Sequence, residues 1–180
     1  MVEAVKRLLL VVDYQKDFVD GALGFPGAEA LDGPIAAKIA ACRAAGDDVA
    51  FTLDTHGPDY LDTQEGRKLP VPHCLLNSEG WQLYGQTGQA KERSRDMVIG
   101  KGAFPSLWLA NWLKEQGYDR VELAGLVSYL CVLSNAIMVK AALPEAEILV
   151  DARLTAAFDP ALHEKALYIL EGLQVTVTNR

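Results

Sequence analysis

Val121-Glu122-Leu123-Ala124-Gly125-Leu126-Val127 is a nearly unbroken apolar run, and the stretch from Cys131 to Ala142 behind it has the composition of a helix. A continuous apolar run predicts a strand buried on both faces, the pattern of a parallel sheet. Working outward, residues 8–13, 48–53, 97–100, 148–151 and 175–178 are also short, rich in Val and Leu, and bounded by Gly or Asp. Helical stretches lie between them, over roughly 34–45, 106–116, 130–142 and 160–172, the last with Asp159 as N-cap and Pro160 at the first helical position. Regular alternation of this kind predicts a three-layer α/β/α fold around a six-stranded, mostly parallel sheet with right-handed crossovers. Ligands of such sheets bind beyond the carboxyl ends of the strands. Asp13, Asp54, Lys101 and segment 125–131 all fall at such ends and are expected to share one rim.

A chain of 180 residues is expected to form a single domain, residues 1–180. Residues 55 to about 92 break the alternation and hold most of the polar and turn residues, so they read as a functional insertion. The formal net charge of −7 argues against nucleic acid and anionic membrane as main partners. No apolar run approaches the roughly 20 residues of a membrane helix. The opening residues lead into Leu8-Leu9-Leu10-Val11-Val12, but Asp13 follows at once and no small-residue cleavage site is present. They therefore read as a first strand, not a signal peptide. Three cysteines (Cys42, Cys74 and Cys131) form no CxxC pair, which suits a reducing cytoplasm.

Cys131 stands at a strand-to-helix junction, near the positive end of the helix dipole, where thiolate is favoured. Asp13 can take its proton, Lys101 can hold thiolate and carboxylate by charge, and backbone N–H groups at the helix start can bind an oxyanion. Taken singly, each residue has a plainer reading. A lone cysteine in a helix is usually core, an Asp after a strand is usually a turn residue, and a Lys between glycines is usually solvated. Asp54-x-His56, followed by Glu65 and His73, offers two imidazoles and two carboxylates, a set that suits Zn²⁺, Mn²⁺ or Fe²⁺. Asp54 and His56 point the same way if the segment is extended.

In order and spacing, Val12-Asp13-Tyr14-Gln15-Lys16-Asp17-Phe18, Leu53-Asp54-Thr55-His56, Pro72-His73, Gly100-Lys101-Gly102 and Gly125-Leu126-Val127-Ser128-Tyr129-Leu130-Cys131-Val132 resemble the isochorismatase-like cysteine hydrolases, and within them the nicotinamidases. The resemblance implies a catalytic triad of Asp13, Lys101 and Cys131, an oxyanion hole from the amides of Val127 and Cys131, and a cis peptide between Leu126 and Val127. It implies a divalent metal, most simply Zn²⁺ with Fe²⁺ or Mn²⁺ as alternatives, on Asp54, His56, Glu65 and His73. In nicotinamidases that metal takes the pyridine nitrogen of the substrate. Phe18 matches an aromatic lining the substrate pocket.

The pattern departs from the family in one place that bears on substrate. Ser128-Tyr129 stands where the family commonly has Thr-Asp. Ser128 retains the ability to cap a helix, but Tyr129 puts a bulky neutral side chain where an acid is usual. The expected activity is a metal-dependent hydrolysis of nicotinamide to nicotinate and ammonia, with a small carboxamide as the expected substrate partner. Another small amide or carbamoyl compound is the alternative, and a non-catalytic α/β binding module is the rival from another class. A cytoplasmic location is expected, and a homo-oligomer is compatible with the sequence. Cys74 reads as structural and His163 as a surface residue.

Overall fold

The computed structural model describes residues 5–180; residues 1–4 of the expected domain lie outside the described residues. The sheet has six parallel strands in the order β3-β2-β1-β4-β5-β6, with β1 Arg7–Val12, β2 Asp48–Asp54, β3 Met97–Lys101, β4 Arg120–Leu126, β5 Glu147–Ala156 and β6 Thr176–Thr178. β1 shows why its sequence is continuously apolar. Leu8, Leu10 and Val12 join the core on one face, whereas Leu9 and Val11 join the core on the other. Helices α5 Leu107–Gln116, α6 Leu133–Ala142 and α7 Pro160–Gly172 supply Leu109, Val139 and Leu167 to the first core. Helices α1 Lys16–Val19 and α2 Asp32–Ala44 supply Phe18, Ile35 and Ile39 to the second.

The expected helices over 34–45, 106–116 and 160–172 are present as α2, α5 and α7. Asp159 caps α7 by accepting from the amides of Ala161 and Leu162, with Pro160 opening the helix. Three differences have physical causes. The stretch over 130–142 is not one helix: Ser128–Val132 forms a turn of π-helix before α6 begins. β5 does not stop at Asp151, where the apolar run ends, but continues to Ala156 through a register shift opposite Leu123 and Gly125. α1, α3 Gln64–Lys68 and α4 Gly85–Gln89 have four or five residues each, too few for a helical period to show in sequence. α3 and α4 lie in the expected insertion, whose start at His56 pairs with Leu75 further along the same insertion through an isolated parallel bridge.

Gly125 sets how closely β1 and β4 approach. Its φ is +110°, and a Cβ there would lie 2.0 Å from the carbonyl oxygen of Val12. Only glycine fits, and Asp13 follows Val12 directly.

No helix among the described residues is long and apolar enough to cross a membrane.

Candidate active site

Asp13, Asp54 and Lys101 leave or end three neighbouring strands, and the pairing of Asp54 with Lys101 across β2 and β3 sets the last two side by side. Lys101 is the final residue of its strand rather than the first beyond it. Asp13 has a left-handed φ of 45°, which aspartate tolerates better than most side chains. Its backbone amide donates to the Thr52 carbonyl at 3.1 Å, and the Thr52 hydroxyl donates to Asp13 Oδ1 at 2.6 Å. The other oxygen, Oδ2, lies 2.6 Å from Lys101 Nζ. Lys101 Nζ is also 3.5 Å from Cys131 Sγ and 3.4 Å from Asp54 Oδ1, and it donates to the Ala103 carbonyl at 3.1 Å. Asp13, Lys101 and Cys131 thus converge in the buried interior, although the first and last lie 118 positions apart in sequence.

Burial dominates the electrostatics of this cluster. It raises the pKa of Asp13 above the carboxylate range; the Lys101 charge opposes this and Asp54 reinforces it. Burial would lower Lys101, but Asp13, Cys131 and Asp54 together overcome it and hold the ammonium firmly protonated. Cys131 is pushed well above an ordinary thiol, first by burial and then by Asp13, with Lys101 pulling the other way. Burial therefore opposes the thiolate preference expected of the helix start. Cys131 lies within the π-turn and is almost fully buried, so desolvation outweighs the dipole. Desolvation thus favours the thiol form of Cys131 beside Lys101 and Asp13.

The peptide between Leu126 and Val127 is cis. After it the backbone curls around a single acceptor, the Val127 carbonyl, which receives the amides of Leu130 at 3.0 Å and Val132 at 3.2 Å. Ser128 does not cap the turn. It is fully buried, and its hydroxyl lies 3.0 Å from Nδ1 of His163. His163 is accordingly half-buried rather than a surface residue, and burial lowers its pKa.

A second cluster adjoins the first. Ligand atoms of Asp54, His56 and His73 lie within 4.8 Å of one another. Asp54 Oδ2 is 3.0 Å from His56 Nε2 and 3.3 Å from His73 Nε2, as the two-residue spacing on an extended segment requires for the first pair. Glu65 Oε1 lies 3.8 Å from both imidazole nitrogens, so the fourth expected residue also faces the group. His73 Nδ1 is 2.8 Å from the Val71 carbonyl, an acceptor only, so the Nδ1 proton sits there and a neutral ring turns an Nε2 lone pair toward Asp54. A lone pair aimed at a carboxylate is favourable only with a proton or a cation between them. The donor set therefore fits a divalent metal ion. Burial alone would raise Asp54, but His56, His73 and Lys101 override it and hold the carboxyl far below the usual range. Burial would likewise lower His73, but its hydrogen bonds to Asp54 and Val71 raise it.

Several supports carry weaker sequence signals. Gln15 is buried, accepts from the Asp54 amide at 2.8 Å and donates to the Asp54 carbonyl at 2.9 Å, locking the ends of β1 and β2 together. The ring of Tyr60 packs against both imidazoles at 4.7 and 5.0 Å. Asp17 accepts from the Cys74 amide at 2.7 Å, which fixes the segment carrying His73. Cys74 is buried and its thiol is pushed up strongly by burial, in keeping with a structural part. Phe18 lies with its ring 5.6 Å from that of His73. Tyr129 is half-buried and stands edge-on to Phe158, with ring centroids 5.5 Å apart.

A three-layer α/β fold whose parallel sheet carries these two clusters at its strand ends is that of a hydrolase of the isochorismatase/amidase superfamily. The chain belongs to the isochorismatase family, whose isochorismatase domain matches residues 7–180. It is 27% identical to the nicotinamidase/pyrazinamidase of Mycobacterium tuberculosis over 146 residues, which cover 72% of this chain and 76% of the relative. The crystal structure of the Bacillus subtilis nicotinamidase/pyrazinamidase superposes with a TM-score of 0.85 at 28% identity, covering 96% of this chain and 99% of the other. The N-carbamoylsarcosine amidase of Thermoplasma acidophilum superposes with a TM-score of 0.79 at 27% identity, covering 96% and 95%.

Proposed function

We propose that the protein is a metal-dependent cysteine amidohydrolase that converts nicotinamide to nicotinate and ammonia through a thioester on Cys131. The observation that carries this reading is the position of Lys101, within 3.5 Å of Asp13, Asp54 and Cys131. One ammonium thereby borders both the nucleophile and the metal-type donor group. The nicotinamidase names of the relatives support the choice of substrate.

Asp13 takes the proton of Cys131 as the thiolate attacks the carboxamide carbon. Lys101 balances the negative charge created in this buried site. The amides of Val127 and Cys131 receive the oxyanion. The intermediate collapses as Asp13 passes its proton to the nitrogen; the C–N bond breaks, ammonia leaves and the thioester remains. Water then gives a proton to Asp13 and attacks the acyl carbon. The C–S bond breaks, nicotinate departs, and the thiolate recovers the proton from Asp13. Asp54, His56, Glu65 and His73 would hold the divalent ion, and Phe18 beside His73 would line the ring pocket. When bound, the metal supplies an anchor for the ring nitrogen of the substrate.

The test is ammonia release from nicotinamide by purified protein, before and after chelation, with Cys131→Ala as control. Turnover is expected to need both the thiol and the metal. Undiminished turnover by Cys131→Ala would sink the mechanism, and undiminished turnover after complete metal removal would sink the anchored-ring model.

Tyr129 motivates a second reading. It occupies a position where the family commonly carries an acid, and the likeness to an N-carbamoylsarcosine amidase supports a different small amide or carbamoyl compound as substrate. A panel of such compounds, assayed beside nicotinamide, separates the two. A non-catalytic module predicts that Cys131 undergoes no fast, selective alkylation by iodoacetamide.

A further inference from the structure

We propose that Asn135 is a positioning residue for the nucleophile, stapling the segment after Lys101 to the backbone of Cys131 itself. This rests on the assignment of Cys131 and Lys101 to the chemistry, but not on the identity of the substrate.

Asn135 lies one helical turn after Cys131 on α6 and is fully buried. All three of its partners are backbone groups of fixed sense. Nδ2 donates to the Cys131 carbonyl at 2.8 Å and to the Phe104 carbonyl at 2.9 Å, and Oδ1 accepts from the Ser106 amide at 3.1 Å. One acceptor and two donors on a side chain of this length are the inventory of asparagine. Aspartate lacks the donors, leucine lacks all three groups, and glutamine is one carbon too long.

The consequence concerns Lys101. Its ammonium donates to the Ala103 carbonyl, in the same short segment that Asn135 grips at Phe104 and Ser106. Ser106 in turn caps α5 by accepting from the Leu109 amide at 3.1 Å. The Lys101–Cys131 contact of 3.5 Å is therefore fixed from both ends, by strand β3 and by the stapled segment. Loosening the staple lets the ammonium drift from the sulfur without removing either group. A displacement near 1 Å can cost about 100-fold in rate.

The experiment uses Asn135→Asp, which keeps the shape and the Ser106 acceptor but faces two carbonyl oxygens with a carboxylate. Asn135→Ser is made in parallel, in case Asp does not fold. Two readouts are taken on folded, metal-loaded protein. The first is the pH dependence of Cys131 alkylation by iodoacetamide, resolved from Cys42 and Cys74 by peptide mass. The second is kcat and KM for amide hydrolysis. We expect alkylation of Cys131 to move to higher pH and kcat to fall about 10- to 100-fold, with KM nearly unchanged. A variant that folds and keeps the wild-type alkylation profile overturns the proposal. So does one that loses affinity alone, since a purely structural change would not act selectively on the thiol. If the wild type hydrolyses no nicotinamide while the alkylation profile still moves, the substrate reading fails and the positioning role stands.

Discussion

Lys101 Nζ lies 3.4 Å from Asp54 Oδ1, so a single buried ammonium forms the common wall of the nucleophile cluster and the metal-type cluster. Its removal would leave Asp13 and Asp54, both buried, without the cation between them. Breaking a buried ion pair by deleting one partner costs about 3–5 kcal/mol. Lys101→Met is expected to abolish turnover and to lower the urea midpoint by a corresponding amount. Adding Asp13→Asn to it should recover part of the stability and none of the activity. Equal stability of Lys101→Met and wild type would show that the pair is not coupled as its geometry implies.

Activity should fall on the acid side above the ordinary carboxylate range. Burial raises Asp13, and below its pKa the carboxyl already holds a proton and cannot accept that of the thiol. The Thr52 hydroxyl favours the ionised form and so lowers this pKa. Thr52→Val should therefore move the acid limb of kcat/KM further upward. A downward movement would assign that limb to another group.

Metal binding should distinguish the ligands by distance. His73→Ala removes a nitrogen that stands 3.3 Å from Asp54 Oδ2, whereas Glu65 stands 3.8 Å from each imidazole and is more exposed. Titration with Zn²⁺ is expected to show near-stoichiometric uptake by the wild type. Glu65→Gln should weaken it about 10-fold, as suits the more distant and more exposed of the four holding residues, and His73→Ala should weaken it considerably more. The reverse order would move Glu65 to the centre of the site.

Gly125→Ala should be among the most damaging small substitutions in the protein. The added carbon would meet the Val12 carbonyl oxygen at 2.0 Å, in a backbone conformation of φ +110°. Backbone strain of this kind costs about 1–3 kcal/mol before any clash is counted. Thermal unfolding should show a large fall in midpoint, and soluble yield should drop with it. A midpoint within a degree or two of wild type would contradict the close approach of β1 and β4.

How far the sequence could be read follows from the range of the interactions. β1 and β4 were legible because burial on both faces leaves an unbroken apolar run. Asp54 and His56 were legible because extended chain repeats every two residues. β5 was cut short because its second half continues through a register shift past Asp151 and Arg153, which look like the end of a strand. The pairing of Ser128 with His163 joins residues 35 positions apart on two elements, and no local pattern announces it. Asn135 looks like any polar residue within a helix until the segment at 104–106 is laid against it. The environment of Cys131 is not legible locally for a related reason: the dipole of a helix start is a local property, whereas desolvation depends on everything packed around the sulfur.

The parallel register of the sheet has a bearing on folding as well as on chemistry. Asp54 sits opposite Lys101, and Val12 opposite both Thr52 and Gly125. Slipping β3 by one residue against β2 would turn Lys101 to the opposite face and bring Gly100 or Gly102 to its place. Misaligned conformers would then be compact, hydrogen-bonded and chemically silent. The yield of Cys131 that reacts after refolding should thus serve as a gauge of how many molecules have aligned their strands correctly.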